Sequence, residues 1–304
     1  MALLNGFVTM ALVIGLGALL AHLRVVTETT QRELSSLAFW VAAPALILTT
    51  MARTDLDAAL VGSTVAALAS VVVAGGAYAA YARWWLRRDL EELLVGVLCS
   101  TYVNAGNLGL AIAGYVLGNA AAVVPAILVQ LLLLQPLALA VLESRTRGRT
   151  GLLQVATQPL RTPLTVASIA GLVLSATGWQ LPTAVQAPIE LVGAMAIPAM
   201  LLAYGIALRL GPGLAEAGGR TELGVIVACK LVLQPLTAYA VAVLLGIGGP
   251  ALVAVVVTAS LPTAQNIFII ASRYRRAETL ARDSVLLTTL ASVPVIVGAV
   301  LVLG

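Results

Sequence analysis

Ten apolar runs dominate this chain, at roughly 3–22, 35–52, 58–83, 92–117, 120–142, 164–180, 184–209, 223–246, 249–272 and 280–303. Most approach the ~20 residues that a helix needs to cross a bilayer. Hydrocarbon offers no partner to a free amide or carbonyl, so runs of this length can span only as helices. Composition agrees, since 61% of the 304 residues are hydrophobic and 10% are charged, against about 25% charged in a soluble domain. The expected fold is an all-α polytopic membrane protein with ten transmembrane helices, here called spans 1 to 10. The first run lacks the basic leader and small-residue cleavage site of a signal peptide, so it is read as span 1. Cys99 and Cys229 both fall inside apolar runs and offer neither metal-ligand spacing nor a disulfide framework.

Arginine placement tests the count independently. With the N-terminus outside, the loops after spans 1, 3, 5, 7 and 9 hold fifteen of the sixteen arginines, and Arg53 stands alone on the other side. That split follows the positive-inside rule. It places both termini outside the cytoplasm and makes the net charge of +4 a marker of orientation, not of nucleic-acid binding.

The long loop at 144–163, SRTRGRTGLLQVATQPLRTP, separates 1–143 from 164–304. Each part then holds five spans, and an odd number makes the second enter the membrane from the opposite face. Inverted repeats of this kind are common in secondary transporters. Faint echoes support the duplication: APALIL around Pro44 and IPAMLL around Pro198, the Ala105, Asn107, Tyr115 spacing repeated at Ala264, Asn266, Tyr274, and Pro136 with Pro294.

The polar residues sit where the apolar runs should be most hydrophobic. Asn104 lies about twelve residues into span 4, roughly 18 Å deep by helical rise. Pro262 lies about thirteen residues into span 9, roughly 20 Å deep from the other face. Gly106 and Gly109 loosen one backbone, and Pro262 removes a hydrogen bond from the other. Broken there, each second half-helix would present free N–H groups and a positive dipole end at the centre. Asn104, Asn107, Gln265 and Asn266 would line the gap. Each segment alone could equally be helix packing, since glycine, proline and asparagine are ordinary in membrane helices. The coincidence of two such segments in two inverted halves favours a site.

Lys230, the one lysine, lies eight or nine residues inside span 8. Intramembrane charges are functional candidates, although a lysine stem at this depth can nearly snorkel to the interface. Glu190 and Asp283 read as interfacial, Gln130 and Gln135 as weaker site candidates, and Trp84, Trp85 and Trp179 as interface anchors.

These residues resemble the auxin efflux carrier family, in its bacterial form. Asn104, Gly106 and Gly109 match the family's N-x-G-x-x-G-x-P pattern, with Ala111 in place of the proline and Asn107 in place of an apolar residue. Pro262, Thr263, Ala264, Asn266 and Tyr274 are similar to its P-T-A-x-N…Y segment. Lys230 and Pro235 match in span 8. The resemblance implies a fold shared with bile-acid sodium symporters. Spans 1, 2, 6 and 7 would form a scaffold, and spans 3–5 and 8–10 a transport domain with spans 4 and 9 crossing as an X. It further implies elevator-like secondary transport of a small organic anion such as a carboxylate across a bacterial inner membrane. Substrate binding is expected at Asn104, Gly106, Asn107, Gly109, Pro262, Thr263, Gln265, Asn266 and Lys230.

Other classes fit less well. An intramembrane enzyme lacks material, because His22 is the sole histidine and no pair of intramembrane carboxylates is seen. A passive channel would call for filter rings or an oligomeric pore. A sodium-coupled, bile-acid-symporter-like carrier is the nearest alternative. Expected partners are the anion and the lipid bilayer, with a homodimer as the candidate assembly and no nucleic acid. No cofactor is expected, and the residues leave the coupling ion, sodium or proton, open.

Overall fold

The computed structural model describes residues 2–53, 58–147, 163–210 and 220–304. Among the described residues the chain is helical, with one isolated bridge and no strand. The helices are α1 Ala2–His22, α2 Glu28–Ala52, α3 Leu60–Leu86, α4 Leu90–Thr101, α5 Leu110–Tyr115, α6 Ala120–Leu142, α7 Pro163–Thr177, α8 Thr183–Leu210, α9 Arg220–Leu244, α10 Gly249–Ala259, α11 Asn266–Tyr274 and α12 Glu278–Leu303. Six of them, α2, α3, α6, α8, α9 and α12, are long and apolar enough to cross a membrane. Spans 4 and 9 each appear as two shorter pieces, α4 with α5 and α10 with α11. Of the linker expected at 144–163, residues 148–162 lie outside the described residues, while 144–147 and Pro163 are helical.

Local chemistry sets the helix starts. Thr27 caps α2 by accepting from the Thr30 amide, so that helix begins well before its apolar run and carries a polar first turn. Asp89 caps α4 by accepting from the Glu92 amide at 2.8 Å, and Glu91 and Glu92 add negative charge to the same first turn.

Chain contacts divide the protein into two compact units. The first comprises Met1–Asp57, Gly106–Val124 and Pro159–Gly213. Here α1 runs along α8 with little between the backbones. A Cβ at Gly205 would stand 2.0 Å from the Ile14 carbonyl, and one at Gly17 2.4 Å from the Leu202 carbonyl. Such close approach is how helices associate where lipid removes the usual hydrophobic drive. Arg53, the one arginine assigned to the outer side, pairs with Glu190, which also accepts from Gln186 at 2.7 Å.

The second unit comprises Ala58–Ala105, Pro125–Gln158 and Leu214–Gly304. In it α3 packs on α4 and α9, and α12 on α9, α10 and α11. Its main core gathers Tyr78, Leu98, Leu142, Ile226, Ile267 and Ala281. A smaller cluster of Ala66, Ala238, Ala242, Val255 and Ala259 joins α3, α9 and α10.

Candidate functional site

The two broken spans meet in the second unit. α4 ends at Thr101, Tyr102 is extended (φ −79°, ψ 104°), and helical structure resumes in a π-helical turn, Ala105–Gly109, that leads into α5. α10 ends at Ala259, and α11 starts at Asn266. Between these ends Val103 and Thr263 form an antiparallel bridge. Asn104 N–H donates to the Pro262 carbonyl at 2.8 Å, and Ala264 N–H to the Tyr102 carbonyl at 3.1 Å. Each interruption thus supplies what the other lost, which is how unwound backbone survives at membrane depth.

The first break stands at 102–104, ahead of the glycines expected to cause it. Gly106 and Gly109 lie inside the π-helical turn, and Ala111 is buried within α5. Span 4 therefore unwinds without a proline, because the bridge to 262–264 recovers its backbone hydrogen bonds.

Side chains from three neighbouring helices close on the crossing. From α6, Gln130 Nε2 donates to the Val103 carbonyl at 3.1 Å, and Gln135 accepts from the Tyr102 hydroxyl at 2.8 Å. From α12, Thr288 Oγ1 accepts from Thr263 N–H at 3.0 Å. From α9, Gln234 Nε2 donates to the Thr101 carbonyl at 2.9 Å. Lys230 Nζ donates to Gln234 Oε1 at 2.5 Å and to the Ala259 carbonyl at 3.4 Å. Those two carbonyls are the C-terminal ends of α4 and α10, the negative ends of their dipoles. Lys230 is wholly buried and does not snorkel.

The expected site residues are dispersed in exposure. Asn104, Pro262 and Thr263 are buried, and the Thr263 hydroxyl donates to the Cys99 carbonyl at 2.6 Å. Gln265, Asn266 and Gly106 are half-buried. The Asn107 side chain lies outside what the structure describes. By contacts, Asn104, Pro262, Thr263, Gln265, Asn266 and Lys230 belong to the second unit, and Gly106, Asn107 and Gly109 to the first. Sequence reasoning missed Gln234 and Thr288. The repeated Gln-Pro pair, Gln135–Pro136 and Gln234–Pro235, was the available signal for the former.

A second polar cluster ties down the N-terminal end of α4. Glu222, at the start of α9, is 3% exposed and accepts from the Tyr78 hydroxyl at 2.8 Å and from Arg88 Nη2 at 2.6 Å. Arg88 also reaches Glu92 at 3.0 Å, while Arg276 pairs with Glu91 at 2.9 Å and Asp89 at 3.5 Å. The hydrogen bond to Glu222 holds the Arg88 proton even more firmly than usual. Asp283, in the first turns of α12, is buried and paired with Arg282 at 2.8 Å. Among the described residues no group of three His, Cys, Asp or Glu side chains could hold a metal ion.

A multi-pass helical membrane protein whose interrupted helices meet on buried polar side chains has the construction of a transporter. A family model described as "Membrane transport protein" matches residues 4–150 and, a second time, 145–299. The chain belongs to this family, which holds the auxin efflux carriers. It is 28% identical over 281 residues to a protein of Rhizobium meliloti (strain 1021) named "Putative malonate transporter", covering 87% of this chain and 84% of that one. Family and relative both indicate a membrane transporter.

Proposed function

We propose that the protein is a secondary transporter of a small dicarboxylate of the malonate class, working by elevator-like alternating access. The observation that carries this reading is the polarity of the crossing. Two helices end there at Thr101 and Ala259, and new helical segments begin at Ala105 and Asn266. The ends carry negative dipole charge and are met by Gln234 and Lys230. The beginnings carry positive dipole charge beside Asn104, Gln265 and Asn266, where an anion finds N–H and amide donors. Lys230 then supports the site through the crossing, with two of its three donors on the Gln234 and Ala259 oxygens. Gly106, Asn107 and Gly109 are proposed as lining on sequence alone.

The family model's double match, together with the arginine split, supports ten spans in two inverted repeats with both termini outside. The division into two compact units supports a scaffold of spans 1, 2, 6 and 7 and a moving transport domain built on the second unit. Uptake of radiolabelled malonate into proteoliposomes tests the reading, with sodium, proton and voltage gradients imposed in turn. Saturable flux driven by one of these gradients is expected. Saturation by malonate with no dependence on any gradient would make the protein a facilitator, and no flux of malonate or a homologous dicarboxylate would remove the substrate class.

A further inference from the structure

We propose that Gln130 on α6 and Thr288 on α12 are a matched pair of positioning residues that fix the register of the helix crossing, and so place Asn104, Gln265 and Asn266. The proposal rests on the transporter reading above for its functional consequence, though not for its geometry.

The bridge has too few bonds to fix itself. It consists of two backbone hydrogen bonds, Asn104 N–H to Pro262 and Ala264 N–H to Tyr102. In this pattern Val103 and Thr263 face each other without bonding, and their own N–H and C=O groups turn outward to the flanks. A pairing this short is weakly specified by its own backbone bonds, and the Thr263 hydroxyl adds one side-chain tie between the spans, to the Cys99 carbonyl at 2.6 Å. One residue of slip would displace the lining side chains by about 3.3 Å and reverse their facing.

Two of these four outward groups, one on each residue, are held from the side. The Val103 carbonyl accepts from Gln130 Nε2 at 3.1 Å, and the Thr263 N–H donates to Thr288 Oγ1 at 3.0 Å. All four residues are at most 4% exposed, so water cannot substitute: without Thr288 the Thr263 N–H bears its full desolvation, while without Gln130 the Val103 carbonyl loses its second bond and keeps the one from Ala105 N–H at 2.8 Å. Thr288 is anchored in turn, its hydroxyl donating to the Ser284 carbonyl at 2.6 Å.

The two residues also occupy matching places. Gln130 precedes Pro136 by six residues, and Thr288 precedes Pro294 by six. Each half of the chain thus sends one side chain, at the same distance from a proline, to the backbone of its own broken span. One donates and the other accepts, so the pair holds opposite kinds of backbone group across one bridge.

Hydrogen exchange of the full-length protein in detergent, read by mass spectrometry, tests this without reference to any substrate. Gln130→Met and Thr288→Val keep size and remove the polar contact, and Thr288→Ser keeps it. Each of the first two should raise exchange at least tenfold in peptides covering both 100–106 and 260–267, because the bridge is shared. Peptides from α3 and the first turns of α9 should not change, and Thr288→Ser should match the native protein. Unchanged exchange at the crossing, or a rise spread evenly over all helices, would overturn the proposal. If one variant does not fold, the other decides alone. In proteoliposomes the same two variants should raise the KM for malonate severalfold with Thr288→Ser near native. Absence of malonate flux in the native protein strikes the substrate assignment and leaves the exchange result to decide the positioning role.

Discussion

Lys230 Nζ lies 3.4 Å from the Ala259 carbonyl, so the one lysine of the chain spends its charge on the C-terminal end of a broken helix. Its second partner, Gln234, bridges to the matching end of α4 at Thr101. Removing the ammonium should therefore weaken the fold of the crossing and not just its affinity for an anion. Lys230→Met is expected to cost about 1.5–3 kcal/mol, the range for hydrogen bonds to charged groups. Thermal unfolding in detergent should show a lower midpoint, and malonate flux should fall with it. A variant of native stability that has lost only anion binding would show that the lysine meets the substrate directly.

The polar lining should separate from this framework. Gln265→Ala and Asn266→Ala change half-buried side chains at the start of α11. Each should reduce malonate flux at least tenfold, about 1.4 kcal/mol, while the unfolding midpoint stays near native. Unaltered flux in both would move the binding site away from the crossing.

Gly96 is held open for Tyr78. A Cβ on Gly96 would stand 2.0 Å from the Tyr78 hydroxyl and 2.2 Å from the ring carbon bearing it. Gly96→Ala should destabilise by about 1–3 kcal/mol through overpacking. Adding Tyr78→Phe should not restore stability, because the ring carbons still collide. Tyr78→Leu should relieve the clash, which a double-mutant thermal melt would reveal as strong non-additivity.

Glu222→Gln tests the cluster at the other end of α4. The change leaves Arg88 without its buried counter-charge, but Arg88 is 37% exposed and water screens the loss. The expected cost is about 1–2 kcal/mol, below the ~3–5 kcal/mol of a wholly buried broken pair, read as a fall in unfolding midpoint. Tyr78→Phe, which removes one neutral donor from the same carboxylate, should cost about 0.5–1.5 kcal/mol.

Orientation follows from the arginine split. Cysteines introduced at Thr150 and Gly248 should react with a membrane-impermeant maleimide from opposite sides of sealed vesicles. Labelling of both from one side would remove the ten-span topology and with it the inverted repeat.

Much of this was legible in the chain. Hydropathy adds up along a sequence, so apolar runs announce a membrane protein before any contact is known. Amides and prolines in the middle of such runs stand out for the same reason, since hydrocarbon penalises each unmet polar group where it sits. The family motif at Asn104 and at Pro262–Asn266 is likewise local, and it pointed to the two spans that break. Tertiary structure alone decided where span 4 unwinds. The turn at 102–104 is stable only because Pro262 and Tyr102 exchange backbone hydrogen bonds with residues from the other half of the chain. It also decided that Lys230 faces Ala259 and Gln234 and not the membrane surface, and that Thr288, an unremarkable threonine in an apolar helix, holds the Thr263 amide. A hydrogen bond between distant residues has no signature in either one's neighbourhood, because its energy exists only once the helices carrying them have packed.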